Sequence, residues 1–260
     1  PLRVGRVDFI NTFPLAWSLG QRHDGAIAEV LGVPTELNAL LAAGELDVAN
    51  VSSIAYARDP EAYVLLPHVC ISSDGAVESV NLVTDVPLPA VRTISVTAKS
   101  AASVALVRIL FPSAEILPEG AGADARLLIG DEALTSALED ATPHHDLGVL
   151  WRERTGLPMV FAVWAARRDV ADERLVALDR ALAEAVADAS EHAALVAQAA
   201  AERYGYPAGY LARYFEKLRY AFGPRERDGL RRYFELAAEA GIIETAPALV
   251  FAGDRQGALG

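Results

Sequence analysis

Three short segments of this chain put amide and hydroxyl side chains where a small anion can be held: Asn11 with Thr12, Ser52 with Ser53, and Ser100 with Ser103. Each stands just ahead of a helical pattern, so each sets neutral hydrogen-bond donors beside backbone N–H groups that the first helical turn leaves unpaired. A carboxylate suits such a turn, because the helix N-terminus adds partial positive charge without any basic side chain. Ser, Thr and Asn are also the favoured N-cap residues, and any one turn taken alone reads first as a simple cap. Three of them in equivalent positions favour a shared anion site.

Asp131, in Leu128-Ile129-Gly130-Asp131-Glu132-Ala133-Leu134, follows the same strand-to-helix pattern. It stands open to two readings, a carboxylate reaching into a cleft or an acidic first turn that complements the helix dipole. Other chemistry is poorly served. His23, His68, His144, His145 and His192 show neither the i, i+4 spacing of a helical metal pair nor a cysteine at zinc-finger distance, so no metal is expected. Cys70 falls in an apolar strand pattern, where a buried inert thiol is expected rather than a nucleophile. Ser52 lacks a G-x-S-x-G elbow and the chain has no G-x-x-x-x-G-K-S loop, which sets aside the hydrolase and phosphate-loop readings. No cofactor is expected.

The elements that hold these turns alternate. Residues 2–9 read as a strand, and Pro14 with Leu15, Trp17 and Leu19 opens a helix. A helical pattern over 34–43 leads through Gly44 to a strand over 46–51, and Ser52-Ser53 follows it. Strands over 63–71 and 79–84 flank a turn at 72–75, and Pro87 with Pro89 marks a connector. Residues 92–97 form a strand leading to Ser100 and to a helix carrying Val104, Leu106, Val107 and Leu110, and residues 125–129 form a buried strand leading to Gly130-Asp131. Segments 146–151 and 160–165 return the chain, and from Glu173 onward the pattern is helical, broken at Gly205, Pro207, Gly223, Pro224 and Gly241.

This order predicts an α/β protein of two lobes with mainly parallel sheets and a helical C-terminal part. Residues 1–88 supply the first part of lobe one, 89–163 lobe two, and 164–260 the second, helical part of lobe one. Ligands of parallel α/β sheets bind beyond the carboxyl ends of the strands, so the polar turns are expected to face one another across a cleft.

With 260 residues, 52% of them hydrophobic, the chain can bury a sizeable core, and no apolar run approaches the roughly 20 residues of a membrane-spanning helix. A net charge of -12 without a basic stripe argues against nucleic acid, and one cysteine fits a reducing compartment. The strand pattern starting at Leu2 leaves no room for a signal peptide, so a cytoplasmic location is expected. Trp151 and Trp164 read as core or hinge packing, and Tyr204, Tyr210, Tyr214, Phe215 and Tyr220 as cover for the first lobe's sheet, with a homodimer left open.

Several segments carry a resemblance when taken in order: Val7-Asp8-Phe9-Ile10-Asn11-Thr12-Phe13-Pro14-Leu15, Val51-Ser52-Ser53, Gly75-Ala76-Val77-Glu78-Ser79-Val80 and Ser100-Ala101-Ala102-Ser103-Val104-Ala105-Leu106. Ile129-Gly130-Asp131-Glu132-Ala133-Leu134, Asp146-Leu147-Gly148 with Trp151, Thr155-Gly156-Leu157-Pro158 and Phe161-Ala162-Val163-Trp164 continue it. Over essentially its whole length the chain resembles the chorismate dehydratases of menaquinone biosynthesis. The resemblance implies a fold similar to type-two periplasmic binding proteins and the dehydration of chorismate to 3-[(1-carboxyvinyl)oxy]benzoate on the futalosine route. A sister family, the dihydroxynaphthoate synthases that act on cyclic dehypoxanthine futalosine, shares that fold but carries a Ser-Pro-Cys-Pro-Asn-Asp type of segment where this chain has Asn11-Thr12-Phe13-Pro14. Asp8-Phe9-Ile10 stands where the family often has Ser-Tyr-Leu, and Ala102 where a Thr is usual.

The resemblance makes Asn11 the candidate catalytic group and makes Thr12, Ser52, Ser53, Ser79, Ser100, Ala101, Ser103 and Asp131 candidate substrate-binding positions. Chorismate is a dianion, which suits neutral donors at helix starts. Its ring proton goes either to a carboxylate of the substrate itself, with Asn11 orienting the enolpyruvyl group and the leaving hydroxyl, or to Asp131 or another carboxylate. A small-anion solute-binding protein with the same fold and no chemistry is the rival class.

Overall fold

The apolar pattern that opens the chain builds β1 (Leu2–Val7), in which only Arg3 is exposed. In the computed structural model, which describes residues 1–20 and 27–254, a single 3-10 turn (Ile10–Thr12) joins β1 to α1 (Phe13–Gly20). His23 lies outside the described residues. Next come β2 (Ile27–Gly32), α2 (Pro34–Ala42), β3 (Val48–Ser52), α3 (Ser53–Arg58) and β4 (Tyr63–Ser73). The chain then forms β5 (Val80–Val83), β6 (Thr93–Val96), α4 (Ala101–Leu110), β7 (Glu115–Pro118), β8 (Ala125–Ile129), α5 (Gly130–Glu139), β9 (His144–Asp146) and α6 (Leu147–Thr155). It closes with β10 (Met159–Arg167), α7 (Asp172–Glu191), α8 (Ala193–Tyr204), α9 (Ala208–Lys217), β11 (Arg219–Ala221) and α10 (Pro224–Glu239).

These strands form two sheets, ordered β11-β4-β10-β3-β1-β2 and β7-β6-β8-β5-β9. The two-sheet α/β architecture with C-terminal helices is the expected one, but the sheets are mixed rather than mainly parallel. Parallel pairing joins β1 to β2 and β3, and β6 to β7 and β8. Antiparallel pairing joins β10 to β3 and β4, β11 to β4, and β5 to β8 and β9. The cause is the path of the chain: β4 leaves the first sheet, β10 re-enters it, and a departing strand beside a returning one must run the opposite way.

Sheet membership also places the crossings earlier than the prolines indicated. β5 already belongs to the second sheet, so the first crossing falls at residues 74–79 rather than near residue 88, and β10 rejoins the first sheet from Met159 rather than after residue 163. Pro87 instead caps, and Pro89 lies within, a 3-10 turn (Leu88–Ala90) inside the second lobe. β2 and β7 carry no signal in the sequence pattern because both are edge strands with no buried residue, and edge strands need no apolar alternation.

One apolar cluster runs through both lobes and includes Val51, Tyr56, Leu82, Ile94, Trp151 and Tyr233. α10 braces them together: the Tyr233 ring meets Trp151 edge-on at 5.9 Å, and its hydroxyl donates to the Ala102 carbonyl at 2.8 Å. A second cluster packs Leu15 and Leu19 of α1 and Leu175, Leu178 and Leu182 of α7 against Val48, Val64 and Trp164 on the other face of the first sheet. Trp151 and Trp164 are thus core residues. Cys70 is fully buried, and loss of solvation pushes its thiol far up, which keeps it protonated and inert. No helix among the described residues is long and apolar enough to cross a membrane.

Candidate active site

Between the two sheets lies a cavity of about 510 Å³, its mouth included. The first sheet's side contributes Asn11, Asn50 and Ser52, the second Ser79, Ser100, Ser103 and Gly130, and Phe9, Val77 and Phe161 supply apolar wall. Among the described residues no charged side chain lines it. Its polar surface is nevertheless unusual: Asn11 Oδ1, Asn50 Oδ1 and Nδ2, and Ser52 Oγ are buried without a hydrogen-bond partner. Such atoms cost about 1–3 kcal/mol each when left unpaired in a folded interior, so a site that keeps several together is arranged for a polar ligand.

Five of the nine positions singled out from the sequence meet here, namely Asn11, Ser52, Ser79, Ser100 and Ser103. Ser100 caps α4: its Oγ accepts from the Ser103 N–H at 3.3 Å and lies 3.0 Å from Ser103 Oγ, so both hydroxyls stand at the helix start beside its free N–H groups. The other four are placed elsewhere. Thr12 donates to the Val7 carbonyl at 2.6 Å and accepts from buried Arg6 at 3.1 Å, while Ser53 donates to the Val160 carbonyl at 2.8 Å; both hydroxyls tie the first sheet to its neighbours. Ala101 opens α4 without lining the cavity. Ala102 is buried in the core, so a methyl at that position takes no donor from the cavity wall.

Asp131 does not line the cavity either. Its Oδ1 accepts the Ile10 N–H at 3.0 Å, joining the start of α5 in one lobe to the turn that carries Asn11 in the other. Burial raises its carboxyl above the usual carboxylate range, the Ile10 hydrogen bond opposes this, and the nearby charge of Asp8 adds to it. Tyr206 completes the junction, its hydroxyl donating to the Asp131 carbonyl at 3.2 Å.

The residues that hold the cavity wall in place come largely from elements whose sequence read only as packing. Tyr220 of β11 donates to the Asn11 carbonyl at 2.7 Å. The hydroxyl of fully buried Tyr214 in α9 meets Ser79, and burial pushes its phenol far up. Glu78 has a φ of 59°, in the left-handed region that a non-glycine residue enters at a cost of about 1 kcal/mol. Four bonds hold it there: Asp146 Oδ2 accepts the Val77 and Glu78 N–H groups at 2.9 and 2.7 Å, Asn81 donates to the Glu78 carbonyl at 2.6 Å, and Lys217 pairs with the Glu78 carboxylate. Asp146 Oδ1 also accepts from Gly148 and Val149, capping α6, so one half-buried carboxylate fixes the first crossing and a helix start together. Burial nonetheless leaves its carboxyl above the usual range.

Asn50 is the polar lining residue that the sequence reading missed. The readable signal was an amide inside the otherwise apolar run Val48-Ala49-Asn50-Val51, since buried strands favour branched apolar side chains.

The sequence pattern of the menaquinone biosynthesis family matches residues 2–239 of the chain. The chain is 36% identical to a chorismate dehydratase of Thermus thermophilus, across 90% of this chain and 94% of that one. A solved structure of an Archaeoglobus fulgidus protein superposes with a TM-score of 0.81 at 21% identity, covering 93% of this chain and 98% of the other. The periplasmic aliphatic sulphonate binding protein of Escherichia coli superposes with a TM-score of 0.67 at 16% identity, covering 94% and 89%. The fold is therefore that of the periplasmic binding proteins, two lobes facing across a cleft, and the cavity occupies that cleft.

Proposed function

The chain belongs to the menaquinone biosynthesis family, and on that premise we propose that it is a hydro-lyase, a chorismate dehydratase that converts chorismate to 3-[(1-carboxyvinyl)oxy]benzoate and water. The observation that carries this reading is the uncharged cavity whose wall joins the capped start of α4 to the unpartnered amide oxygen of Asn11. A dianion needs donors there, and Ser100, Ser103 and the free N–H groups of α4 supply them without basic side chains.

The reaction removes the ring C3 proton and the C4 hydroxyl. The proton passes to a carboxylate of the substrate, the electrons of the C–H bond form the new ring double bond, and the C4–O pair leaves with the oxygen. That oxygen takes up the proton and departs as water, leaving an aromatic ring. A substrate carboxylate is favoured as the base because no ionisable side chain among the described residues lines the cavity, and because Asp131 already accepts the Ile10 N–H. Asn11 orients the enolpyruvyl group and the leaving hydroxyl, and the Phe9, Val77 and Phe161 walls keep water from competing. The same reading assigns the chain to the cytoplasm, the compartment its single cysteine fits.

Incubating the purified protein with chorismate and following the absorbance of the aromatic product tests this reading. Binding without conversion would return the chain to the solute-binding class. Asn11→Ala is expected to lower turnover about 100-fold, the usual scale for one well-placed polar group.

A further inference from the structure

Asn50 is fully buried in β3, and neither end of its amide has a partner. Exchanging Oδ1 and Nδ2 changes nothing in this respect, since both positions are empty of partners. Ser52, two residues on and therefore on the same face of the strand, holds a hydroxyl in the same state. Opposite them on antiparallel β10 stand Trp164, paired with Asn50, and Ala162, paired with Ser52; Ala162 lines the cavity with both polar residues. With Asn11 Oδ1, the unsatisfied set therefore holds two carbonyl-type acceptors as well as donors.

The acceptors decide what fits. A carboxylate has no proton to offer, so placing one here would leave Asn50 Oδ1 and Asn11 Oδ1 unpaired and set partial negative charge against a full one. A hydroxyl both gives and accepts. Chorismate with both carboxylates ionised carries a single O–H, on ring C4. Building on the dehydratase reading, we propose that Asn50 is a second residue, beside Asn11, that binds this leaving hydroxyl, Oδ1 accepting its proton and Nδ2 donating to its oxygen. The carboxylates are then left to the α4 side of the cavity, where the N–H and O–H donors of the helix start are gathered. As the C4–O bond breaks, the Nδ2 donor faces growing negative charge and its hydrogen bond strengthens, so the contact favours the transition state over the bound substrate.

The product has both carboxylates and no hydroxyl, which separates this role from a structural one. For Asn50→Leu, turnover of chorismate is expected to fall about 100-fold while the dissociation constant of 3-[(1-carboxyvinyl)oxy]benzoate stays within about twofold of wild type. Its melting temperature is expected to equal or exceed that of wild type, because an apolar side chain of similar size removes two unpaired buried groups. Asn50→Asp keeps the shape but exchanges the donor for a charge beside a dianion, and is expected to lose turnover at least as severely. Full turnover in Asn50→Leu, equal loss of product binding, or a lowered melting temperature would each overturn the assignment of Asn50 while leaving the dehydratase reading intact. A wild-type protein that leaves chorismate unchanged would overturn that reading itself, and the hydroxyl assignment with it.

Discussion

The Tyr220 hydroxyl donates a 2.7 Å hydrogen bond to the carbonyl of Asn11, across 209 residues of sequence. It ties the turn that follows the first strand to a three-residue strand near the end of the chain, so the position of the Asn11 amide depends on the docking of the C-terminal helices. Burial pushes the Tyr220 phenol well above its ordinary value, so the donor keeps its proton through the working pH range.

Tyr220→Phe keeps the half-buried ring and removes only this bond. The Asn11 carbonyl then lacks its donor, at a cost of about 1–3 kcal/mol. With a shift of roughly 2–4 °C per kcal/mol for a chain of this size, the melting temperature is expected to fall by several degrees. Because the turn is loosened rather than the binding surface removed, kcat is expected to fall about tenfold with little change in KM. A variant that melts lower but keeps the wild-type kcat would make Tyr220 purely structural.

Gly130 has a φ of +58°, and a Cβ there would sit 3.2 Å from the nearest atom of the Phe9 ring. Gly130→Ala therefore combines backbone strain with pressure on a cavity wall, and is expected to lower the melting temperature and raise KM several-fold as Phe9 shifts. Gly156, the left-handed C-cap of α6 with a φ of +72°, supplies the comparison: the nearest atom to a Cβ there is an Arg152 guanidinium nitrogen at 3.8 Å. Gly156→Ala carries about 1 kcal/mol of the same strain without touching the site, so its stability should fall and its KM should not. Equal KM values for the two variants would sever Phe9 from substrate binding.

The turns were legible in the sequence because a strand followed by a polar residue and a helical pattern is a local signal, and Ser52, Ser100 and Ser103 reach the cavity through that geometry alone. Their partners were not. Thr12 and Ser53 have the same residue types at the same offsets, yet each turns its hydroxyl to a backbone carbonyl, and only the three-dimensional course of β1 and β10 makes those carbonyls available. The roles of Tyr214 and Tyr220 depend on contacts made across more than a hundred residues, which amphipathic periodicity does not encode. The crossing at residues 74–79 escaped notice for a related reason. A glutamate at positive φ is held there by Asp146 and Lys217, whereas the sequence showed its prolines further along, in a turn with no bearing on the lobes.

Asp131 offers a test in which stability and catalysis separate. Burial raises its carboxyl pKa in the folded protein above the ordinary carboxylate value of 3.8. The charged form is thus disfavoured by folding: the group favours the folded state fully below 3.8, and that contribution is lost as pH rises through the folded pKa. Asp131→Asn keeps an oxygen for the Ile10 N–H and never ionises. Its melting temperature is therefore expected to exceed that of wild type at pH 7, with the gap narrowing as the pH falls and closing below 3.8. Turnover should persist in the variant, because the proton goes to the substrate's own carboxylate and the turn that carries Asn11 remains tied to α5. Loss of turnover in a variant that melts at or above the wild-type temperature would reassign the base to Asp131 and displace the substrate-carboxylate mechanism.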